Sequence, residues 1–186
     1  MIEALSRIQK AQEHLAETLK SQFPDHTLSL DKIGEAILWL KKPDDLVRTL
    51  IQLKKNTGIV MDRLSDVTAY DNIDKADGPK RFVMVYQLYS LTFHSRMRVK
   101  VLVDENEEVP TIVGLWQAAN WLEREVFDLF GIRFRGHPDL RRILMDERFV
   151  GHPLRKDYGL KERQPFPDSL PVRIIDRKPV PNDEGL

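Results

Sequence analysis

The sequence predicts an α+β domain: a small, mostly antiparallel sheet packed with helices, followed by an extended, irregular C-terminal tail. Three observations carry this. Between residues 81 and 103 apolar residues recur at every second position, as on strands with one buried face. Toward both ends of the first 131 residues they recur instead three and four apart, as on amphipathic helices. Beyond Gly131 the periodicity dissolves, and seven of the eleven prolines lie there. A chain of 186 residues suits one domain with an extension. The boundaries expected are 1–131 for the α+β domain and 132–186 for the proline-rich segment.

Composition excludes several functions. Lysine plus arginine and aspartate plus glutamate both number 29, so no net charge draws the chain to nucleic acid or a membrane surface. There is no cysteine, which removes disulfides, thiolate nucleophiles and cysteine-ligated iron–sulfur clusters. No apolar run approaches the roughly 18 residues of a membrane span, and the N-terminus lacks an apolar signal segment. The expected chain is soluble and cytoplasmic.

In order, residues 3–22 read as an amphipathic helix with Leu5, Ile8, Gln12, Leu15 and Leu19 near one face. Pro24 ends it, and Glu35 to Leu40 has the length of a strand. Pro43-Asp44-Asp45 opens a second helix, since proline fits the first turn and carboxylates suit the N-terminal dipole. Leu46, Leu50 and Leu53 form its buried face, and Lys54 and Lys55 complement its end. Ile59 to Val67 supplies the next expected strand, and Tyr70 to Lys80 a polar stretch ending in the turn Asp77-Gly78-Pro79. Strands follow over Arg81–Ser90 and Leu91–Val103. In the second, Met97, Val99 and Val101 alternate with Arg96, Arg98 and Lys100. That basic row, with His94, reads as a solvated sheet face, with anion or nucleic-acid binding as the sharper alternative. Asp104 to Glu108 is an acidic turn.

The next helix carries the most information. Leu115, Ala119, Leu122, Val126, Leu129 and Phe130 share one stripe, and Gly131 stands where a left-handed residue closes a helix. Asn120 and Glu123 match a capping box, so a second helical start inside the span is possible. Trp121, Arg124, Glu125 and Asp128 lie off the stripe. Arg124 and Asp128 are four apart and can pair. Trp121 needs an apolar cover, from the tail or from another protein.

After the helix, Gly136-His137-Pro138 and Gly151-His152-Pro153 repeat one tripeptide, each soon followed by paired bases, Arg141-Arg142 and Arg155-Lys156. Proline forces the preceding histidine to be extended and glycine permits an unusual dihedral, so each tripeptide reads as a corner. The two histidines match no helix-borne ligand spacing, no nucleophile elbow or phosphate loop is present, and no catalytic set emerges. The arginines suit two-pronged contacts with Glu123, Glu125 or Asp128, or with a partner's carboxylates.

The pattern W-x-x-x-x-W-x-E-R-E-x-x-D-x-F-G-I-x-F-x-G-H-P-D-L-R-R-I-L from Trp116, then G-H-P-L-R-K-D-Y ending at Tyr158, resembles the 30-kDa subunit family of respiratory complex I, the C subunit of NADH-quinone oxidoreductases. The resemblance is dense from Trp116 to Tyr158 and looser back to about residue 35. Phe149 departs from it where tryptophan is frequent. It implies a non-catalytic structural and assembly subunit in the hydrophilic arm of a proton-pumping NADH:quinone oxidoreductase. The complex uses FMN, iron–sulfur clusters, NADH and quinone, and this chain binds none of them. The implied partners are the hydrogenase-like large subunit of 49-kDa type and the iron–sulfur subunits, with the proline-rich tail wrapping a neighbour. The implied location is peripheral, on the cytoplasmic side of the membrane. The expected interface is the signature itself: Trp116, Trp121, Glu123, Arg124, Glu125, Asp128, Phe130, Gly131, Gly136, His137, Pro138, Arg141, Arg142, Gly151, His152, Pro153, Arg155, Lys156, Asp157 and Tyr158. The alternatives are the equivalent subunit of a membrane-bound hydrogenase or other-donor dehydrogenase and, more distantly, a free nucleic-acid-binding module.

Overall fold

A computed structural model describes residues 2–55 and 58–159, with side chains from residue 10 onward. The elements run α1 (Ile2–Gln22), β1 (Thr27–Leu30), β2 (Ala36–Leu40), α2 (Asp45–Lys55), β3 (Arg63–Asp71), β4 (Phe82–Ser90), β5 (Ser95–Val103), β6 (Val109–Pro110), α3 (Ala119–Phe130) and β7 (Phe134–Arg135). The first five strands form one sheet in the order β1-β2-β5-β4-β3, and β6 and β7 form a separate pair. Only β2–β5 is parallel within the larger sheet, so the α+β, mostly antiparallel expectation holds.

Period-two alternation decides which face is buried. On β5, Met97, Val99, Val101 and Val103 point into the core while Arg96, Arg98 and Lys100 point away. The core face carries all three helices. Leu15 and Leu19 of α1, Leu46, Leu50 and Leu53 of α2, and Val126 and Phe130 of α3 join Leu38, Phe82, Met84 and Val99 in one cluster. The predicted places of Leu5 and Ile8 on α1, and residues 160–186 of the tail, lie outside the described residues.

Several boundaries differ from the sequence reading, each for a physical reason. The third strand starts at Arg63 rather than Ile59 and runs on to Asp71, into the stretch read as polar. Ile59 and Met61 are buried as a loop, and the Met61 N–H donates to Leu53 O at the end of α2. Residues 91–94 form a turn rather than strand, with His94 at φ 50°. The four-residue β1 and two-residue β6 and β7 are too short for periodicity to register. The last helix starts at Ala119, with no side-chain cap, so Asn120 and Glu123 form no capping box.

β6, α3 and β7 make a small βαβ unit: Val109 pairs with Phe134 and Pro110 with Arg135, in parallel. Trp116 enters α3 with its indole N–H donating to Asp62 O at 2.9 Å and Lys54 over its ring. α3 itself lies against β3. Beyond Gly131 the described residues are irregular apart from β7, as expected, and lie back along α3.

Leu50 is fully buried on α2. Leu50→Ala is expected to lower the unfolding free energy by about 2–5 kcal/mol in urea titration, through lost transfer energy and the cavity left behind.

Candidate functional site

The candidate site is α3 together with the segment folded over it, residues 136–158. Its organising group is Asp128, fully buried on α3. One carboxylate oxygen accepts the backbone N–H groups of Ile143, Leu144 and Met145 at 3.0, 2.8 and 2.8 Å. The other meets the Arg142 guanidinium at 2.7 Å. Burial pushes this carboxyl up, but the three N–H groups and Arg142 outweigh it and hold Asp128 below the usual carboxylate range. One turn earlier, Arg124 donates to the carbonyls of Arg141 and Arg142, each at 3.1 Å. Arg124 and Asp128 therefore do not pair with each other. Side by side on one helix face, they grip five consecutive residues of backbone, carbonyls at one end and N–H groups at the other.

The second corner closes the helix. An α-helix leaves its last four carbonyls without partners. Here Phe127 O accepts the N–H of Gly131, which takes the left-handed conformation at φ 77° as its sequence position suggested. Asp128 O accepts from His152 Nδ1 at 2.9 Å, Leu129 O from the Leu154 N–H at 3.1 Å, and Phe130 O from Arg155 Nε at 2.6 Å. His152, Leu154 and Arg155 of the motif Gly151-His152-Pro153-Leu154-Arg155 thus supply the helix cap from more than 20 residues away. Arg142 and Arg155 also bring positive charge to the negative end of the helix dipole. Burial lowers the His152 pKa, and the charges of Arg155 and Arg142 lower it further, so the ring is neutral and donates through Nδ1.

The first corner holds the other end. Asp139 N–H donates to His137 Nδ1 at 3.0 Å, which leaves Nε2–H to donate to Asn120 O at 3.1 Å. Both histidines thus commit ring nitrogens to backbone partners. Gly136 and Gly151 sit at φ 82° and 94°, the conformations the corners require. Beneath them Glu123, also fully buried, accepts the Thr111 hydroxyl at 2.6 Å and the Ile112 N–H at 2.8 Å, with His137 Nε2 3.9 Å away. Burial pushes this carboxyl up to about 7, against the pull of those two hydrogen bonds.

A third set of contacts ties the segment to the sheet. Asp157 pairs with Arg81 at 2.6 Å, Arg155 with Glu105 at 2.8 Å, and the Lys156 N–H donates to the buried Asp71 at 2.9 Å. Arg81 itself bridges Asp71, Glu105 and Asp157. Thr111, Arg81, Asp71 and Glu105 were not among the sequence candidates. Glu105 lay in the acidic turn, but nothing in the sequence paired that turn with Arg155.

Of the expected pairings, Arg142–Asp128 forms. Arg141 pairs instead with its neighbour Asp139 on the surface, Glu125 is exposed, and Glu123 meets no arginine. Tyr158 stacks near Phe149 and against Gly151. Trp121 remains 63% exposed, with the Arg124 guanidinium over one face of its ring.

Residues 40–164, the whole of this site included, match the family of the respiratory-chain NADH dehydrogenase, 30 Kd subunit. The chain belongs to that family. Among similar proteins is the NADH-quinone oxidoreductase C subunit of Trichlorobacter lovleyi, 46% identical over 158 residues, which span 83% of this chain and 94% of that one. The same protein of Geotalea uraniireducens is 40% identical over 155 residues, 82% of this chain and 92% of the relative. NADH-ubiquinone oxidoreductase subunit 9 of Reclinomonas americana is 49% identical over 127 residues, 68% of this chain but 60% of that longer protein. The fold also matches a chain in the structure of a membrane-bound sulfane sulfur reductase, an archaeal respiratory membrane complex. That match has a TM-score of 0.67 at 21% identity and covers 80% of this chain and 86% of the other. Among the described residues, no helix of this family member is long and apolar enough to cross a membrane.

Glu123 binds its proton more tightly folded than unfolded. Its contribution is therefore fully present below its ordinary value of 4.5 and is lost as pH rises through about 7. Glu123→Gln, whose amide fits the same partners, is expected to raise Tm at pH 8 and leave it nearly unchanged at pH 4.5, as read by calorimetry at both values. Gly131→Ala combines a positive φ with a Cβ 2.5 Å from His152 Nε2 and 2.6 Å from Arg155 Nη2. It is expected to destabilise the chain by about 1–3 kcal/mol and to expose residues 151–158 to hydrogen exchange, because the cap is displaced.

Proposed function

We propose that the chain is a non-catalytic structural and assembly subunit of the hydrophilic arm of a proton-pumping NADH:quinone oxidoreductase. It supports electron transfer from NADH to quinone by holding neighbouring subunits in register. The observation that carries this reading is the division within the signature module. Arg124, Asp128, Arg142 and Arg155 turn inward, onto backbone groups of the module, while four large apolar side chains turn outward. Trp121, Leu144, Val150 and Leu154 are 63%, 61%, 73% and 51% exposed, all on α3 or the segment it grips. Solvent-facing apolar groups on a rigid, internally saturated scaffold suit association rather than chemistry.

The partner that best fits is the hydrogenase-like large subunit of 49-kDa type, with the iron–sulfur subunits beside it and the segment 132–186 lying along them. FMN, the clusters and quinone belong to those neighbours in this reading. A chain without cysteine offers no thiolate for a cluster. The chain is then peripheral, held on the cytoplasmic side of the membrane through its complex. One observation favours a second reading: the same fold serves a respiratory complex named for sulfane sulfur rather than NADH. A subunit of an other-donor complex would therefore look alike.

The test is purification of the complex from native membranes through a tag on this chain. Co-purification of the large subunit, iron–sulfur subunits and an NADH-oxidising flavoprotein supports the first reading, and the same set without the flavoprotein supports the second. A chain recovered alone overturns both. Leu144→Asp with Leu154→Asp is expected to leave the isolated chain folded, by circular dichroism, yet to reduce its recovery with the complex about tenfold or more. Asp128→Ala strands three partly buried N–H groups and the partly buried Arg142 guanidinium, at a cost of about 2–4 kcal/mol. It is expected to lower the abundance of assembled complex while turnover per assembled complex stays normal.

A further inference from the structure

The sheet face opposite the helices carries a cluster that the signature module leaves unexplained. The register sets Arg63 of β3 opposite Tyr89 of β4, and Tyr89 opposite Arg96 of β5. All three side chains therefore stand in one row on one face. With strands about 4.8 Å apart, the backbones of the two arginines stand about 10 Å apart, with the tyrosine between them. Arg98, one row on, is matched by Asp31 at 3.0 Å and Glu35 at 2.8 Å. Lys100 lies over the rings of Trp39 and Tyr70. The rest of the basic row read from the sequence is thus partnered, and the charge left over belongs to Arg63 and Arg96. Arg63 is exposed and forms no ion pair among the described residues. Arg96 reaches Glu35 only at 3.9 Å, and its side chain is 70% exposed. They border a depression of about 490 Å³ whose rim includes Ile33, 77% exposed.

We propose that this depression is a second docking surface, which receives an acidic segment of a partner subunit. Two carboxylates meet Arg63 and Arg96, and an apolar side chain covers Ile33 and Tyr89. The chemistry selects such an occupant in three ways. Arginines whose backbones stand about 10 Å apart, with a tyrosine between them, match two carboxylates spaced along a polypeptide. An exposed isoleucine beside them calls for an apolar cover, which a free anion does not provide. Asp31, Glu35 and Asp66 near the row, in a chain of zero net charge, disfavour a continuous phosphate backbone.

This inference rests on the chain's working as a subunit, and the experiment separates the two. Ser65 is exposed within the depression, so a photo-reactive benzoylphenylalanine placed there is irradiated in the purified complex and the cross-linked peptides are sequenced. The result expected is a peptide from a different subunit, with carboxylates beside the cross-linked residue. Cross-links to lipid or nucleic acid, or only within this chain, overturn the proposal. In parallel, the combined Arg63→Glu and Arg96→Glu variant is expected to fold normally by circular dichroism. It should lower recovery with the complex about tenfold, while Arg63→Lys with Arg96→Lys retains most of it. Unchanged recovery of the glutamate variant, with the Leu144 and Leu154 variant still impaired, overturns this surface and leaves the proposed function standing.

Discussion

The arrangement of the segment 136–158 depends on one buried carboxylate. An ionised carboxyl without water is costly, and it persists in an interior only where donors replace the lost water. Asp128 satisfies that condition with three successive backbone N–H groups and one guanidinium. Those donors lie in a segment with no helix or strand of its own, so the same contacts that neutralise Asp128 also satisfy backbone groups that would otherwise be orphaned. Neither side is stable without the other. The helix end repeats the logic, since its open carbonyls are closed by His152, Leu154 and Arg155 rather than by solvent. Irregular backbone is thereby held as firmly as secondary structure, without a ladder.

That mechanism explains what the sequence revealed and what it concealed. The sheet was legible because alternation along Met97 to Val103 reports burial directly. Gly131 was legible because only its position after an apolar stripe was needed. The corners were legible as corners, since glycine and proline constrain their own backbones. The docking of the segment was legible only in part, through the expected Arg142–Asp128 pair. Arg124 and Asp128 at a spacing of four read as a surface ion pair, and a sequence does not display the partner backbone groups that they actually bind. Side chain-to-backbone contacts leave no complementary residue to find. Ile59 and Met61 misled in another way: apolar identity announced burial, which a loop supplied without a strand. Trp121, whose ring needed a cover, is left uncovered by the described part of its own tail, which turns attention to a neighbouring protein.

The two fully buried acids of α3 respond to protons in opposite directions. Asp128, held low, stabilises the fold above its ordinary value of 3.8, and that stability is lost as pH falls through its depressed folded value. Glu123, pushed up to about 7, withdraws stability as pH rises through neutrality. Both side chains are closed to solvent, but Glu123 lies deeper and has fewer donors than Asp128. Three N–H groups and an arginine outweigh desolvation at one site, whereas one N–H and one hydroxyl fall short at the other. His152, held below its ordinary 6.5, adds a loss of stability as pH falls below that value, so acidification costs the helix cap as well.

A buried ionic arrangement is a poor way to gain stability, since well-packed apolar residues of similar volume often do as well or better. Its advantage is directional. Apolar packing tolerates a slipped or rotated segment, but a carboxylate that needs three consecutive N–H groups accepts one register of residues 143–145 and no other. For a subunit proposed to hold neighbours in alignment, register is the property that matters: Leu144 and Leu154 project from a backbone pinned on either side by Asp128 and by the carbonyls of α3. The interior charges fix where the outward apolar groups stand, and any partner then meets a surface already in its bound shape, without the entropy cost of ordering an irregular chain. The signature motif therefore encodes a conformation first, and the proposed interface is what that conformation presents.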